Sequence, residues 1–371
     1  MSEQKFVRWK DIRANLDILS LVVTLILFSL GIVAIHSASS FATGTFVSSF
    51  ALKQLIWGGV SAFVYILIIK LGYKKILSAA VPLFAVTTLL LILLLIVGHT
   101  SKGAQSWFNL GFVRFQPSEL GKVVFALTLA GLCTKFPPVD FKSMLPTLAL
   151  SGFIIFLILL QPDLGSALVY SVMLFAVLVA AGSPLKFLFG MGVASLMSLP
   201  ILWFVLKPYQ RMRLLVFVDP SIDPQGAGYN VIQSRIAVGS GGFFGKGFMQ
   251  GTQGKLHFLP EPHTDFIFSV FSEEFGFVGS TIVLLLFALL LWKMLSTARY
   301  TKDMTAKLIV VAITAWIWFQ ITESVAMSMG LAPVTGLPLP LFSYGGSSLL
   351  AVVVGLALVQ SVNIISHTER F

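Results

Sequence analysis

Glu261, His263, Thr264 and Asp265 crowd the string Phe-Leu-Pro-Glu-Pro-His-Thr-Asp-Phe-Ile-Phe over residues 258–268, directly before an apolar run that ends near Trp292. An ionisable side chain at membrane depth costs several kcal/mol unless it is paired or wet, so a carboxylate kept there points to function. Asp265 at the mouth of that run is therefore the leading candidate, with proton transfer or cation binding as its chemistry. Helix capping is the competing role, because Thr or Asp opening a helix satisfies free amides. Capping accounts for Thr264 or Asp265 but leaves Glu261, His263 and the flanking prolines without a reason.

Other charges interrupt apolar sequence. Glu119 and Lys122 are three residues apart, share a helix face and can pair. Such a pair either fixes helix packing or lines a polar cavity. Asp163, in Gln161-Pro162-Asp163-Leu164-Gly165, either caps the next helix or faces the same cavity, and Glu323 lies inside another apolar run. The return segment Pro333 to Pro340, followed by Ser343-Tyr344-Gly345-Gly346-Ser347-Ser348, reads as irregular backbone lining a cavity or as a rigid turn with a serine cap. Glycines from Gly239 to Gly247, beside Arg235 and Lys246, suit phosphate oxygens but match no Walker pattern. At about 100° per residue, Ser269, Ser272 and Gly276 share the Asp265 face with Glu273 at its flank, whereas Glu274 points away.

The elements that must position these residues are membrane helices. Of 371 residues, 57% are hydrophobic and 11% charged, and the mean hydropathy is +0.93, far from a soluble domain. Runs near the roughly 20 residues needed to cross a hydrocarbon core fall at 17–36, 54–72, 77–98, 118–134, 146–162, 164–182, 185–206, 265–292, 307–330 and 343–365. The expected fold is an all-α polytopic integral membrane protein of about ten transmembrane helices. Residues 1–371 form a single membrane domain, with 207–264 as a large extracytoplasmic loop between helices 7 and 8.

Basic residues in short loops stay in the cytoplasm. Lys5, Arg8, Lys10 and Arg13, then Lys74 and Lys75, Lys135 and Lys142, and Arg299, Lys302 and Lys307 occupy alternate loops. Both termini are expected to be cytoplasmic and the 207–264 loop outside. The formal net charge of +10 is largely this orientation signal together with lipid headgroup contact, and it makes no case for nucleic acid. Cys133 is the sole cysteine, which excludes an internal disulfide and a cysteine-rich metal site.

From Gln233 to Gly279 the strings QSRIAVGSGG, GKG, GTQ, FLPEPHTDFIF and SEEFGFVG, with KGAQSW, VRFQPSELGK, QPDLG and PVTGLPLPLFSYGGSS in order along the chain, resemble the SEDS family of peptidoglycan polymerases. GTQ and the short polar N-terminus resemble its elongation-specific branch more than its division-specific one. Ser106 and Ser324 depart from the family pattern. The resemblance implies a glycosyltransferase of the bacterial inner membrane that builds undecaprenyl-pyrophosphate-linked glycan from lipid II at the outer face, serving cell elongation and rod shape. It implies a class B penicillin-binding protein as partner within the elongation machinery.

In that reaction the C4 hydroxyl of an acceptor sugar attacks an anomeric carbon, and Asp265 serves as general base. The matched motifs point substrate contact to Lys102, Trp107, Arg114, Arg235, Lys246, Glu261, His263, Thr264 and Tyr344, and Arg211 and Arg213 of the large loop are further candidate cations for the leaving pyrophosphate. Glu119, Lys122, Asp163, Glu323 and Ser343 support the cavity. No tightly bound cofactor is implied; Mg²⁺ or Mn²⁺ shared by Asp265 and the substrate phosphates is the metal arrangement this chemistry allows. A lipid II flippase also fits a polytopic bundle with buried charge, but polar motifs cluster on one side and the chain has no evident inverted repeat. A non-catalytic scaffold for the penicillin-binding protein leaves Asp265 and the Glu119–Lys122 pair without purpose.

Overall fold

The computed structural model describes residues 7–43, 48–101, 104–109, 111, 114–255 and 258–368. In chain order the elements are α1 (Trp9–Asn15), α2 (Ile18–Thr43), α3 (Ser49–Leu71), α4 (Tyr73–Ser78), α5 (Ala80–Val97), β1 (His99–Ser101), β2 (Ala104–Asn109) and β3 (Arg114–Phe115). They continue with α6 (Pro117–Lys135), α7 (Phe141–Leu160), α8 (Leu164–Ala180), α9 (Leu185–Val205), α10 (Pro208–Val218), α11 (Ala227–Ser240) and α12 (Thr252–Lys255). The last three are α13 (Ile267–Tyr300), α14 (Met304–Ser328) and α15 (Gly346–Thr368).

Each expected apolar run is helical, as α2, α3, α5, α6, α7, α8, α9, α13, α14 and α15. Eight of these are by themselves long and apolar enough to cross a membrane. The other two are α8, only 17 residues long, and α6, which carries Glu119, Lys122 and Lys135. The chain is a polytopic α-helical membrane protein. One departure from helix is the antiparallel sheet β1-β2-β3, which pairs His99 with Trp107 and Asn109 with Arg114 between α5 and α6.

Local sequence sets the boundaries. Ser48 accepts the Phe50 and Ala51 amides to open α3, Asp140 and Ser143 form a capping box on α7, and Asp303 accepts the Thr305 amide at α14. Pro117 occupies the first turn of α6, where its missing N–H costs nothing.

Burial then sorts the layers. Within their apolar spans, 72% of α14 and 67% of α15 are buried inside the bundle against 6% of α9, so α14 and α15 form the centre and α9 faces lipid. α14 packs on α6, α8, α13 and α15, and α15 also on α3. A Cβ on Gly355 of α15 would stand 3.0 Å from Ile313 and 3.3 Å from Trp316 of α14, so glycine sets how closely these two helices approach.

The first and last described helices, α1 and α15, meet at one end of the bundle. Asn15 bonds Thr368 through its side chain and accepts from Asn363 through its carbonyl. The Tyr73 amide donates to Ser361, its hydroxyl donates to Asp303, and Thr305 bonds Thr134. The basic connections after α3, α6 and α13 therefore share this end, whereas the polar motifs gather at the other.

Candidate active site

Asp265 lies in the turn leading into α13. The N-cap position of that helix falls one residue later, on Phe266, so Asp265 is not the capping residue. The segment between α14 and α15 folds over this turn as a return loop. Its Ser343 hydroxyl donates to the Thr264 carbonyl at 2.8 Å and accepts the Leu339 amide at 2.8 Å. The Tyr344 amide donates to the His263 carbonyl at 3.0 Å. Gly336, with φ of 77°, faces the carboxylate: a Cβ there would stand 3.8 Å from Asp265 Oδ2. One residue away, Thr335 donates its hydroxyl to Glu323 of α14 at 3.0 Å. Two carboxylates thus flank a single loop, one facing it and one anchoring it.

Two residues that the sequence reading missed complete the support. Gln54 of α3 is fully buried, donates to the Ser343 carbonyl at 3.1 Å and accepts the Gly345 amide at 3.2 Å. A primary amide inside an apolar run is costly unless satisfied, and that lone glutamine was the available signal. Phe50 stacks near His263 with ring centroids 4.3 Å apart and meets Tyr344 edge-on at 5.0 Å. His263 also lies 4.0 Å from Glu261.

Arg114 is exposed on β3, and its carbonyl accepts the Ser347 hydroxyl at 3.2 Å. Burial pushes the Tyr344 hydroxyl above its usual value while Arg114 opposes the shift, which puts this cation within electrostatic reach of the ring. Trp107 is half-buried on the neighbouring strand. Lys102 lies outside the described residues.

Glu119 and Lys122 pair at 2.6 Å, with Lys122 fully buried 5.2 Å from the centre of the Trp316 ring. They stand inside the bundle as support. Asp163 caps α8, accepting the Ser166 amide at 3.0 Å and hydroxyl at 2.7 Å, and it also accepts the Gln116 amide nitrogen at 3.0 Å. The cap therefore also secures the strand connection that carries Arg114.

The reading of residues 239–247 as a phosphate cradle is corrected. At Gly276 the backbone of α13 leaves the helical region, with φ of 64° and ψ of −162°. The Phe277 and Val278 amides, which an unbroken helix would direct to the carbonyls of Glu273 and Glu274, instead donate to Gly242 and Phe243. The Glu273 and Glu274 carbonyls, freed in this way, accept the Lys246 amide at 3.0 Å and the Gly247 amide at 2.9 Å. A Cβ on Gly276 would stand 2.3 Å from the Gly245 nitrogen, and one on Gly245 would stand 2.1 Å from the Glu274 oxygen. These glycines exist so that two backbones can touch.

Several expected cations are held by protein partners. Lys246 donates to Glu273 at 2.6 Å, and the fully buried carboxylate also accepts from Thr252 and the Gln253 amide. Glu274 accepts the Ser37 hydroxyl, and the expectation that it points away from Glu273 is not met: a Cβ on Gly251 would stand 2.9 Å from Glu273 Oε2 and 3.3 Å from Glu274 Cγ, so one loop reaches both acids. Arg235 donates to the Gly330 carbonyl at 2.7 Å, where α14 ends and cations are favoured. Arg211 holds the Phe204 carbonyl at 2.9 Å. Arg213 holds Val334 at 3.1 Å, on the loop that faces Asp265. Among the described residues no three His, Cys, Asp or Glu side chains form a metal-binding group.

Residues 17–368 match the FtsW/RodA/SpoVE family, described as cell cycle proteins. The chain is 40% identical over 291 residues to the peptidoglycan glycosyltransferase MrdB of Escherichia coli K12, covering 78% of this chain and 77% of that one. A chain from a structure described as the structural coordination of polymerization and crosslinking by a peptidoglycan synthase complex superposes with a TM-score of 0.81 at 34% identity, covering 95% of this chain and 98% of the other. The crystal structure of RodA, a rod shape determining protein of Thermus thermophilus, superposes with a TM-score of 0.71 at 32% identity over 94% and 96% of the two chains. With the family spanning nearly its whole length, the chain belongs to the FtsW/RodA/SpoVE family.

Proposed function

We propose that this peptidoglycan glycosyltransferase elongates glycan strands from lipid II at the outer face of the cytoplasmic membrane, with Asp265 as its general base. The observation that carries this reading is the placement of Asp265 against the Gly336 loop, in a turn fixed by Ser343 and Tyr344. Asp265 takes the proton of the acceptor's C4 hydroxyl as that oxygen attacks the donor's anomeric carbon and inverts it. General-base assistance of this kind contributes about 10² to 10⁴ in rate. The leaving group is a lipid-linked pyrophosphate, which cations stabilise without a second carboxylic acid. Arg114 serves here because it is exposed beside the return loop; Arg213, Lys246 and Arg235 are turned to protein partners. Among the described residues the donor set offers no protein cage for a metal. Mg²⁺ or Mn²⁺ would share Asp265 with substrate phosphates.

In this reading ten helices cross the membrane, the basic end with both termini is cytoplasmic, and residues 207–264 lie outside. The partner is a class B penicillin-binding protein, which crosslinks the emerging glycan during cell elongation. Purified Asp265→Asn, given labelled lipid II with and without that partner, should insert and bind normally while making no long chains. Near-normal chain synthesis by a well-folded preparation would reject the base assignment.

A further inference from the structure

Away from Asp265, α1, α2, α3 and α15 enclose an apolar groove of about 390 Å³, within the roughly 300–1,000 Å³ of clefts that hold small ligands. Among its lining side chains only Trp9, Thr24, Ser61 and Tyr65 carry a polar atom. Such walls suit a hydrocarbon chain and offer a polar headgroup almost nothing. The groove runs from α1 to Leu341 beneath the return loop.

Its α1 end is held in place and cationic. The Val7 amide donates to the Lys70 carbonyl at 3.2 Å, and Ile12 packs with Ile69 and Ile364. Lys10 and Arg13 are exposed on α1, and the Lys70 ammonium stands 4.4 Å from the Trp9 ring centre. Basic side chains beside a membrane surface attract anionic lipid headgroups, and a Trp at that level is a common interfacial anchor.

We propose that this groove holds one acyl chain of an anionic phospholipid from the leaflet on the α1 side, with its phosphate among Lys10, Arg13 and Lys70. That leaflet is the cytoplasmic one on the topology proposed above. The substrate's polyprenyl chain belongs to the opposite leaflet and is the competing occupant. Charge and greasiness are thus arranged end to end, as in the lipid itself.

Native mass spectrometry of the full chain in detergent, supplied with palmitoyl-oleoyl phosphatidylglycerol or phosphatidylcholine, tests the proposal. The expected result is one phosphatidylglycerol adduct that survives activation which strips phosphatidylcholine. Ala62→Phe, which fills the groove, should lose that adduct while eluting as the parent does. Lys10→Gln with Arg13→Gln should keep a lipid but hold the two headgroups equally. Equal retention of both lipids by the parent, undiminished phosphatidylglycerol on Ala62→Phe, or an unchanged headgroup preference in the charge variant would each overturn the site. Displacement by undecaprenyl phosphate would overturn it in favour of the polyprenyl chain. None of these readouts depends on glycan synthesis, so failure of the Asp265 assignment would leave them interpretable.

Discussion

The Ser343 hydroxyl donates to the carbonyl of Thr264, the residue before Asp265, at 2.8 Å, and its oxygen also accepts the Leu339 amide. One small side chain therefore joins the return loop to the turn that carries Asp265. Ser343→Ala leaves a carbonyl and an amide without their partner, at about 1–3 kcal/mol for each group that stays buried. A misplacement of about 1 Å at a reacting centre can cost 10²-fold in rate, so polymerisation should fall by about ten- to a hundredfold while membrane insertion persists. Timed glycan synthesis from labelled lipid II checks this. Added to Asp265→Asn, the same substitution should cause no further loss.

The break in α13 depends on glycine. Gly276→Ala places a side chain at φ of 64° and 2.3 Å from the Gly245 nitrogen, so backbone strain of about 1–3 kcal/mol adds to a steric clash with backbone. The unfolding temperature should drop clearly. Gly239→Ala is the control, because nothing lies within 4 Å of its Cβ position and alanine favours helix over glycine by up to about 1 kcal/mol. Thermal unfolding of both variants in one detergent separates them: Gly276→Ala falls and Gly239→Ala holds or rises.

That break also marks the limit of what the sequence discloses. Spacing alone put Glu119 with Lys122, since helix periodicity is local, but it set Glu273 and Glu274 apart although the loop at Gly251 reaches both. Apolar run length located the helices for the same reason. The glycines from Gly239 to Gly247 were visible, but the carbonyls that the stretch from Gly245 to Gly247 approaches lie some 30 residues away, at Glu273 and Glu274, in what reads as a continuous helix. Without the break, spare amides look like a phosphate cradle. Gln54 and Phe50 were missed because each is an ordinary residue in an apolar run until the return loop arrives from nearly 300 positions later.

Lys246 is accordingly a structural cation. Lys246→Met removes a 2.6 Å charge-assisted bond to fully buried Glu273, a loss of about 1.5–3 kcal/mol for a hydrogen bond to a charged group. Stability should fall while the apparent KM for lipid II stays unchanged. Arg114→Gln should do the reverse, raising KM or lowering kcat at nearly constant unfolding temperature. Steady-state kinetics beside thermal unfolding distinguishes the two arginine and lysine roles.

The buried Glu119–Lys122 pair allows stability and activity to be pulled apart. Removing either partner strands a charge where Lys122 is fully buried and Glu119 Oε2 already has no hydrogen-bond partner among the described residues, at about 3–5 kcal/mol. Replacing both, as Glu119→Leu with Lys122→Met, should restore most of the stability, because apolar substitutes for buried ion pairs are often neutral or better. Activity should not return. Lys122 offsets the charge of Asp163, which holds Gln116 and hence the connection bearing Arg114. Exchanging the two residues should fare no better: it sets a cation in the first turn of α6, against the helix dipole, and an anion at the position from which Lys122 offsets Asp163. Unfolding temperature and chain synthesis measured on the same preparations decide the matter, and recovery of both in the apolar double variant would reduce the pair to packing alone.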